Sequence, residues 1–253
     1  MTTATAATAA AATTAVTATT ASTTTTAETA RTLLAAARRA LLDAAVAPRP
    51  ADRYVAAHLA AGKLLAYPTE TVYGLGSAPN REALASLARL KGRPPGKPFL
   101  LLVSSRRMAE EYSLDFNAAA RAMADACWPG PLTLVLPGGE GRLPPELRGA
   151  EGGIAVRHTS QREIALMISL MGHALTSTSA NRPGNPTAPG VDGIVATFGE
   201  AEASGELLVL DGGVLGNVPP STLVDCTGPL PRIIREGAIP RAELRRMVGR
   251  LAP

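Results

Sequence analysis

From about residue 51 onward, runs of four or five apolar residues alternate with longer stretches whose apolar positions recur every three or four residues. A chain that switches between these two periodicities buries its strands by laying helices across their faces, so the pattern specifies an α/β domain. Helices are expected over residues 52–61, stopped by Gly62, then from an Asn80 cap to residue 90, over 117–127 and 162–170, and from about residue 240. Strands are expected over 63–67, 99–103, 132–136, 154–157, 174–178, 207–210, 223–226 and 232–235. No internal repeat is visible.

Ahead of this alternation, residues 1–30 form a Thr/Ala-rich tract with no charge before Glu28 and little to bury, which reads as a disordered tail. The tract lacks the basic start and Leu-rich centre of a secretion signal and the early arginines of a mitochondrial leader. No run is long and apolar enough to span a bilayer, so a cytoplasmic protein with no membrane partner is expected. Residues 31–50 read as a short helix (31–46) and a Pro-containing linker, and residues 51–245 as one folded domain. Of the chain's 253 residues, 46% are hydrophobic and 18% charged, a composition that supports a core and argues against wholesale disorder.

The charge inventory is uneven. Among 25 basic residues only three are lysines, Lys63, Lys91 and Lys97, and two of these fall in one seven-residue stretch. A compact ammonium and a planar guanidinium do different work, so such lysines are either retained for a task or left by chance. With a net charge of only +4, an anionic partner must be gripped by local clusters. Two cysteines, Cys127 and Cys226, and three histidines, His58, His158 and His173, show no metal-ligand spacing, so no protein-held metal is expected. Asp225 reads as structural, and His158, directly after Arg157, is the histidine best placed for a site.

Polar chemistry gathers in loops beside the expected strands, where open α/β sheets bind ligands. Residues 67–76 supply Thr69, Glu70, Thr71 and two glycines, which suits either close approach to a small polar ligand or a simple turn. Residues 91–98 place Lys91, Arg93 and Lys97 among three prolines, which reads as a helix C-cap at Gly92 or as a stiff anion clamp for a polyphosphate. Residues 177–187 offer hydroxyls, amides and free backbone N–H groups that can cradle phosphate. No Walker A loop, dinucleotide-binding glycine pattern or nucleophile elbow occurs.

Together these segments resemble the YrdC-type threonylcarbamoyl-AMP synthase family in its short single-domain form. The resemblance covers about residues 51–240. It rests on residues 67–76, Lys91 and Arg93, the Trp-Pro-Gly-Pro-Leu-Thr run at 128–133, Ala-Val-Arg at 155–157, Ser179 and Asn181, residues 221–225, and Arg-Glu-Gly-Ala at 235–238. It implies a twisted, mostly parallel, mixed open sheet flanked by helices around a positively lined cavity. It also implies conversion of L-threonine, bicarbonate and ATP to threonylcarbamoyl-AMP and pyrophosphate, for tRNA threonylcarbamoyladenosine modification. By that likeness Lys91 and Arg93 are catalytic, and Thr71, Arg157, Ser177 and Ser221 hold threonine. Lys91, Arg93, Lys97, Ser179, Asn181, Thr187 and Arg235 hold ATP, which brings Mg²⁺, and no tightly bound protein cofactor is implied. A tRNA or a tRNA-modifying transferase complex would act downstream. The chain departs from the family pattern where His-Thr-Ser follows Arg157 in place of a proline turn, and in carrying Leu102 where some relatives have a polar residue.

Two other readings compete. A module of the same fold could grip RNA phosphates without synthase activity, but that surface needs cations spread over many positions, whereas those here converge with hydroxyls. A carbamoyl-handling domain of the hydrogenase-maturation type normally sits in a larger chain with zinc-finger-like cysteines. Lys91 and Arg93 are expected to be exposed clamp residues outside the core.

Overall fold

A computed structural model describes residues 50–94, 96–150, 152–216 and 218–252. The expected Thr/Ala tail and the helix at 31–46 lie outside the described residues. Within them, α1 (Pro50–Ala60), β1 (Leu64–Tyr67), β2 (Gly74–Gly76), α2 (Arg81–Lys91), β3 (Leu100–Val103), α3 (Arg106–Glu111) and α4 (Ala118–Cys127) come first. Then follow β4 (Leu132–Leu136), β5 (Ile154–His158), α5 (Arg162–Met171), β6 (Leu175–Ser179), α6 (Val191–Ala203), β7 (Leu207–Val209), β8 (Thr222–Asp225), β9 (Arg232–Arg235) and α7 (Arg241–Val248).

All nine strands form one sheet in the order β7-β1-β2-β6-β3-β5-β4-β8-β9. It is mixed, as expected, but its balance corrects the expectation of a mostly parallel sheet. Only β1 with β7, β3 with β5 and β4 with β8 run parallel, and the other five adjacencies are antiparallel. The connections explain this. The β1–β2 and β8–β9 links are too short for a crossover helix and must return as hairpins.

β2 was hidden in the sequence because Gly-Leu-Gly has low strand propensity. Its glycines make room for the ring of Tyr67, which pairs across the ladder with Gly74. A Cβ on Gly76 would stand 2.4 Å from the Thr176 carbonyl oxygen and 2.9 Å from the Tyr67 ring, so only glycine fits. The short, charged α3 and the glycine-bearing α6 were also missed. α6 has non-helical backbone at Phe198 (φ −129°, ψ 18°), and it holds its place by burying Ile194, Phe198 and Ala201.

The core lies where the apolar strand runs meet the helices. Leu65, Leu75, Leu101, Leu102, Leu132, Leu134 and Val156 are fully buried, each worth roughly 1.5–3 kcal/mol of transfer free energy. α2 shows how local signals place functional groups. Asn80 caps it by accepting from the Ala83 N–H, and Gly92 closes it in the left-handed conformation (φ 65°) with its N–H on the Ala88 and Arg89 carbonyls. Its buried stripe is Leu84, Leu87 and Lys91, so the helix drives an ammonium into the interior at a core-facing position.

Candidate active site

β6 is the strand on which the site is assembled. Each of its last three residues bonds to a different element. Ser177 Oγ accepts from the Tyr67 hydroxyl of β1 at 2.7 Å, Thr178 Oγ1 accepts from Arg93 Nη1 at 2.9 Å, and Ser179 accepts from Lys91 Nζ at the end of α2. Ala180 N–H on the Tyr73 carbonyl (2.8 Å) ties the following loop to the β1–β2 hairpin.

On one side stands the group around Arg157, on β5. Arg157 is buried at 4% exposure, with Nη1 3.5 Å from Thr71 Oγ1 and Nε 3.5 Å from Glu70 Oε1. Glu70 Oε2 is held by the Thr159 hydroxyl at 2.7 Å. Thr69 shapes this loop: its hydroxyl donates to the Val72 carbonyl (2.6 Å) and accepts the N–H groups of Thr71 and Val72. Its proton is thereby committed, so in the 3.0 Å contact between the Thr69 and Thr71 hydroxyls Thr71 is the donor.

Arg235 and Ser221 close the same side. Arg235 Nη2 donates to the Ser221 carbonyl (2.8 Å), and Ser221 Oγ lies 2.8 Å from Thr133 Oγ1. Gly237 permits this approach, since a Cβ there would meet the Pro220 carbonyl oxygen at 2.0 Å. Burial lowers the Arg235 pKa, and the nearby Arg157 charge lowers it further. Two guanidiniums close enough for one to lower the other's basicity are both stabilised by an anion near them.

On the other side stands the Lys-x-Arg element. Lys91 Nζ donates to the carbonyls of Ser179 (2.6 Å) and Asn181 (2.5 Å) and also contacts Asn181 Oδ1. Its burial, with Arg93 adding like-charge repulsion, brings the Lys91 pKa down to about 8. Arg93 donates from Nε to the Lys97 carbonyl (2.8 Å) and from Nη2 to the Pro98 carbonyl (2.5 Å), and its guanidinium lies 4.6 Å from the centre of the Phe99 ring. Burial lowers the Arg93 pKa as well. The expectation that both are exposed clamp residues is therefore corrected. Lys91 is buried and Arg93 half-buried, because the helix end and the proline-stiffened turn fold them onto β6.

The expected residues divide accordingly. Thr71, Arg157, Ser177, Ser221 and Arg235 gather on the β5 side, and Lys91, Arg93, Ser179 and Asn181 on the α2 side. Lys97 is exposed and contributes only its carbonyl to the contacts among the described residues, while Thr187 is half-buried in the loop beyond β6. Tyr67, Thr159 and Thr178 belong to the cluster and were given no role by sequence reasoning. For Tyr67 the signal was a tyrosine ending an apolar strand opposite two glycines; for Thr178 it was its place between Ser177 and Ser179.

Other groups stand apart. His58 and His173 bond the carbonyls of Leu64 and Ala174, each at 2.9 Å, and the His158 ring stands edge-on to Trp128 at 6.4 Å. Burial pushes the Cys226 thiol up to about 12 and the Cys127 thiol up to about 11, so neither is a ready nucleophile. Burial also raises the Asp225 carboxyl, but hydrogen bonds from Thr227 and Arg232 outweigh it and hold the pKa below the usual value, in keeping with a structural role. Two clefts, of about 550 Å³ beside Arg182 and Phe198 and about 840 Å³ beside Asn117 and Met247, contain none of the expected site residues. Among the described residues no cluster of His, Cys, Asp and Glu could hold a metal ion, and no helix is long and apolar enough to cross a membrane.

Comparison with known proteins places this arrangement. Residues 57–237 match the Sua5/YciO/YrdC family model, described as telomere recombination. The threonylcarbamoyl-AMP synthase of Thiobacillus denitrificans is 40% identical over 170 residues, covering 67% of this chain and 87% of the relative. That of Chromohalobacter salexigens is 39% identical over 180 residues, covering 71% and 93%. The crystal structure of Pyrococcus abyssi Sua5 complexed with L-threonine superimposes with a TM-score of 0.72 at 32% identity, over 79% of this chain and 58% of that longer protein. With the family model spanning most of the chain, this protein belongs to the Sua5/YciO/YrdC family.

Proposed function

We propose that this protein is a threonylcarbamoyl-AMP synthase, joining L-threonine, bicarbonate and ATP. The observation that carries the reading is the double engagement of β6: Ser177, on the same face of the sheet as Arg157, is held by Tyr67, and the next two residues, Thr178 and Ser179, are held by Arg93 and Lys91. Two anionic substrates held by cations that are grouped around one rigid strand are positioned to react with each other. The names of the relatives, threonylcarbamoyl-AMP synthase in two bacteria, and the threonine complex of the archaeal structure support the synthase over an RNA-gripping module.

The reaction needs no protein nucleophile. The threonine amine, having lost one proton to solvent, forms an N–C bond to the carbon of bicarbonate, and water leaves. A carbamate oxygen then forms a bond to the α-phosphorus as the bond to the β-phosphate bridging oxygen breaks, and pyrophosphate departs with that electron pair. ATP enters as its Mg²⁺ complex, so the metal comes with the substrate.

Arg157 would grip the threonine carboxylate, with Thr71, Ser177 and Ser221 beside it. Arg93 and Lys97 from the α2 side and Arg235 from the Arg157 side would meet phosphate oxygens, so that Arg235 lies between the two substrates, and Ser179, Asn181 and Thr187 would bind ATP through the loop beyond β6. Lys91 would act chiefly through that loop, because its ammonium protons already bind the Ser179 and Asn181 oxygens. Positive charge fixed before the reaction lowers a barrier set by anions approaching anions. Threonylcarbamoyl-AMP would pass to a tRNA-modifying transferase.

The test is pyrophosphate release on mixing the protein with ATP, L-threonine and bicarbonate, with threonylcarbamoyl-AMP identified by mass. Formation of the adenylate with no RNA present supports the synthase. Turnover that absolutely required tRNA, or threonine that never entered an adenylate, would promote the RNA-binding reading instead.

A further inference from the structure

We infer that Tyr67 is a positioning residue that makes Ser177 a dedicated hydrogen-bond donor to the anionic oxygen held by Arg157. The inference rests on the synthase reading and deepens it at the threonine end of the site.

Three observations converge. The phenol is fully buried at the end of β1, with its ring seated against the glycines of β2, where no other side chain could compete for the space. Its hydroxyl donates to Ser177 Oγ at 2.7 Å across 110 residues of sequence. Ser177 is itself buried, at 5% exposure, and among the described residues its hydroxyl makes no other hydrogen bond.

A serine hydroxyl has one proton and two lone pairs. When a neighbour fixes one lone pair from a rigid direction, the remaining proton is turned toward the open side and awaits an acceptor. Burial pushes the phenol pKa above its ordinary value, so it stays a donor at every working pH, although the Ser177 bond and the Arg157 charge both pull it down. Arg157 and Ser177 flank β3, where they pair with Leu102 and Leu100, two residues apart, so both project from the same face of the sheet, and the pull of the Arg157 charge on the phenol agrees with that placement. The oxygen Ser177 awaits is then an anionic one already attracted to Arg157: the amino-acid carboxylate, rather than the side-chain hydroxyl or the ammonium. An ammonium, which has only protons to offer, could use the second lone pair but gives the Ser177 proton no acceptor, whereas a carboxylate oxygen does.

The experiment is calorimetric binding of L-threonine and of L-2-aminobutyrate, which keeps the carboxylate and methyl but lacks the hydroxyl. It is run on the full chain, on Tyr67→Phe and Ser177→Ala, and on the double variant. Tyr67→Phe keeps the ring over the glycines, and thermal unfolding reports whether the fold survives. We expect Tyr67→Phe to weaken both amino acids by the same factor, about tenfold, with ATP affinity unchanged and no further loss when Ser177→Ala is added. Equal binding by Tyr67→Phe and the wild type, or additive losses in the double variant, would reduce Tyr67 to a packing residue and overturn the inference. A loss confined to threonine would move the bond to the hydroxyl and overturn the carboxylate assignment. If the wild type bound neither amino acid, the synthase reading itself would fail, an outcome distinct from the others.

Discussion

Glu70 Oε1 lies 3.5 Å from Arg157 Nε, and both atoms are buried without a hydrogen-bond partner among the described residues. A desolvated pair at that separation is held by charge more than by hydrogen bonding, and removing one member strands the other. Arg157→Met is expected to destabilise the protein by about 3 kcal/mol, the lower end of the range for breaking a buried pair, because the Glu70 side chain keeps 13% exposure. Glu70→Gln combined with Arg157→Met should recover most of that loss without recovering threonine binding. Urea unfolding of the two variants checks the first statement and calorimetry the second.

Lys91 should titrate within reach of ordinary buffers. Its pKa in the folded protein is about 8, below the ordinary 10.5, because of burial and then the Arg93 charge. Between these values the unfolded chain holds the proton and the folded one releases it, so this residue's contribution to stability rises with pH across that window. Its ability to donate to the Ser179 and Asn181 oxygens falls over the same range, so ATP-dependent turnover should decline as pH passes about 8. With only three lysines in the chain, ¹³C-lysine NMR can follow Lys91 directly, and its midpoint should move upward in Arg93→Gln.

Arg93→Lys should not behave as a conservative change. The guanidinium bonds Lys97 and Pro98 carbonyls and the Thr178 hydroxyl from three different nitrogens and lies over Phe99, a geometry no single ammonium reproduces. Pyrophosphate release is expected to fall by at least a hundredfold, about 2.7 kcal/mol in transition-state stabilisation, with the melting temperature lowered by only a few degrees. Near-normal release from Arg93→Lys would remove it from the phosphate clamp.

Two glycine substitutions separate crowding from backbone conformation. Gly62→Ala puts a Cβ into open space but at φ +75°, so a cost of about 1 kcal/mol from the left-handed backbone is expected. Gly76→Ala puts one against the Thr176 carbonyl and the Tyr67 ring, where both neighbours are fixed, so the cost should exceed 2 kcal/mol. It should also weaken threonine binding by displacing Tyr67. Denaturant titrations rank the two, and the reverse order would mean that the hairpin yields more readily than its packing implies.

Much of the sheet was legible from apolar runs alone. β4 (Leu132–Leu136) and β9 (Arg232–Arg235) occupy the expected residues, and the Asn80 and Asn117 caps begin α2 and α4 as their side chains require. What escaped were features decided at long range. Gly-Leu-Gly becomes a strand only because Tyr67 and β6 flank it, and without it the reversal that turns the sheet toward antiparallel pairing is invisible. The polar residues of the site were legible as a set, from loops rich in hydroxyls and cations. Their partners were not: nothing local in Thr178 announces Arg93, and nothing in Tyr67 announces Ser177 110 residues away. Lys91 carried a readable hint, since it occupies the apolar face of its own helix.

The three consecutive anchors on β6 make the strand a ruler. Ser177 and Ser179 are two residues apart on an extended backbone, about 6.8 Å at a rise of about 3.4 Å per residue, and no loop motion can change that interval. Inserting or deleting one residue there would reverse which hydroxyls face which cations for every position beyond it. In this scaffold, substitutions in the surrounding loops can change the groups that gather around β6, while the interval between the Tyr67 and Lys91 contacts is set by counting peptide bonds.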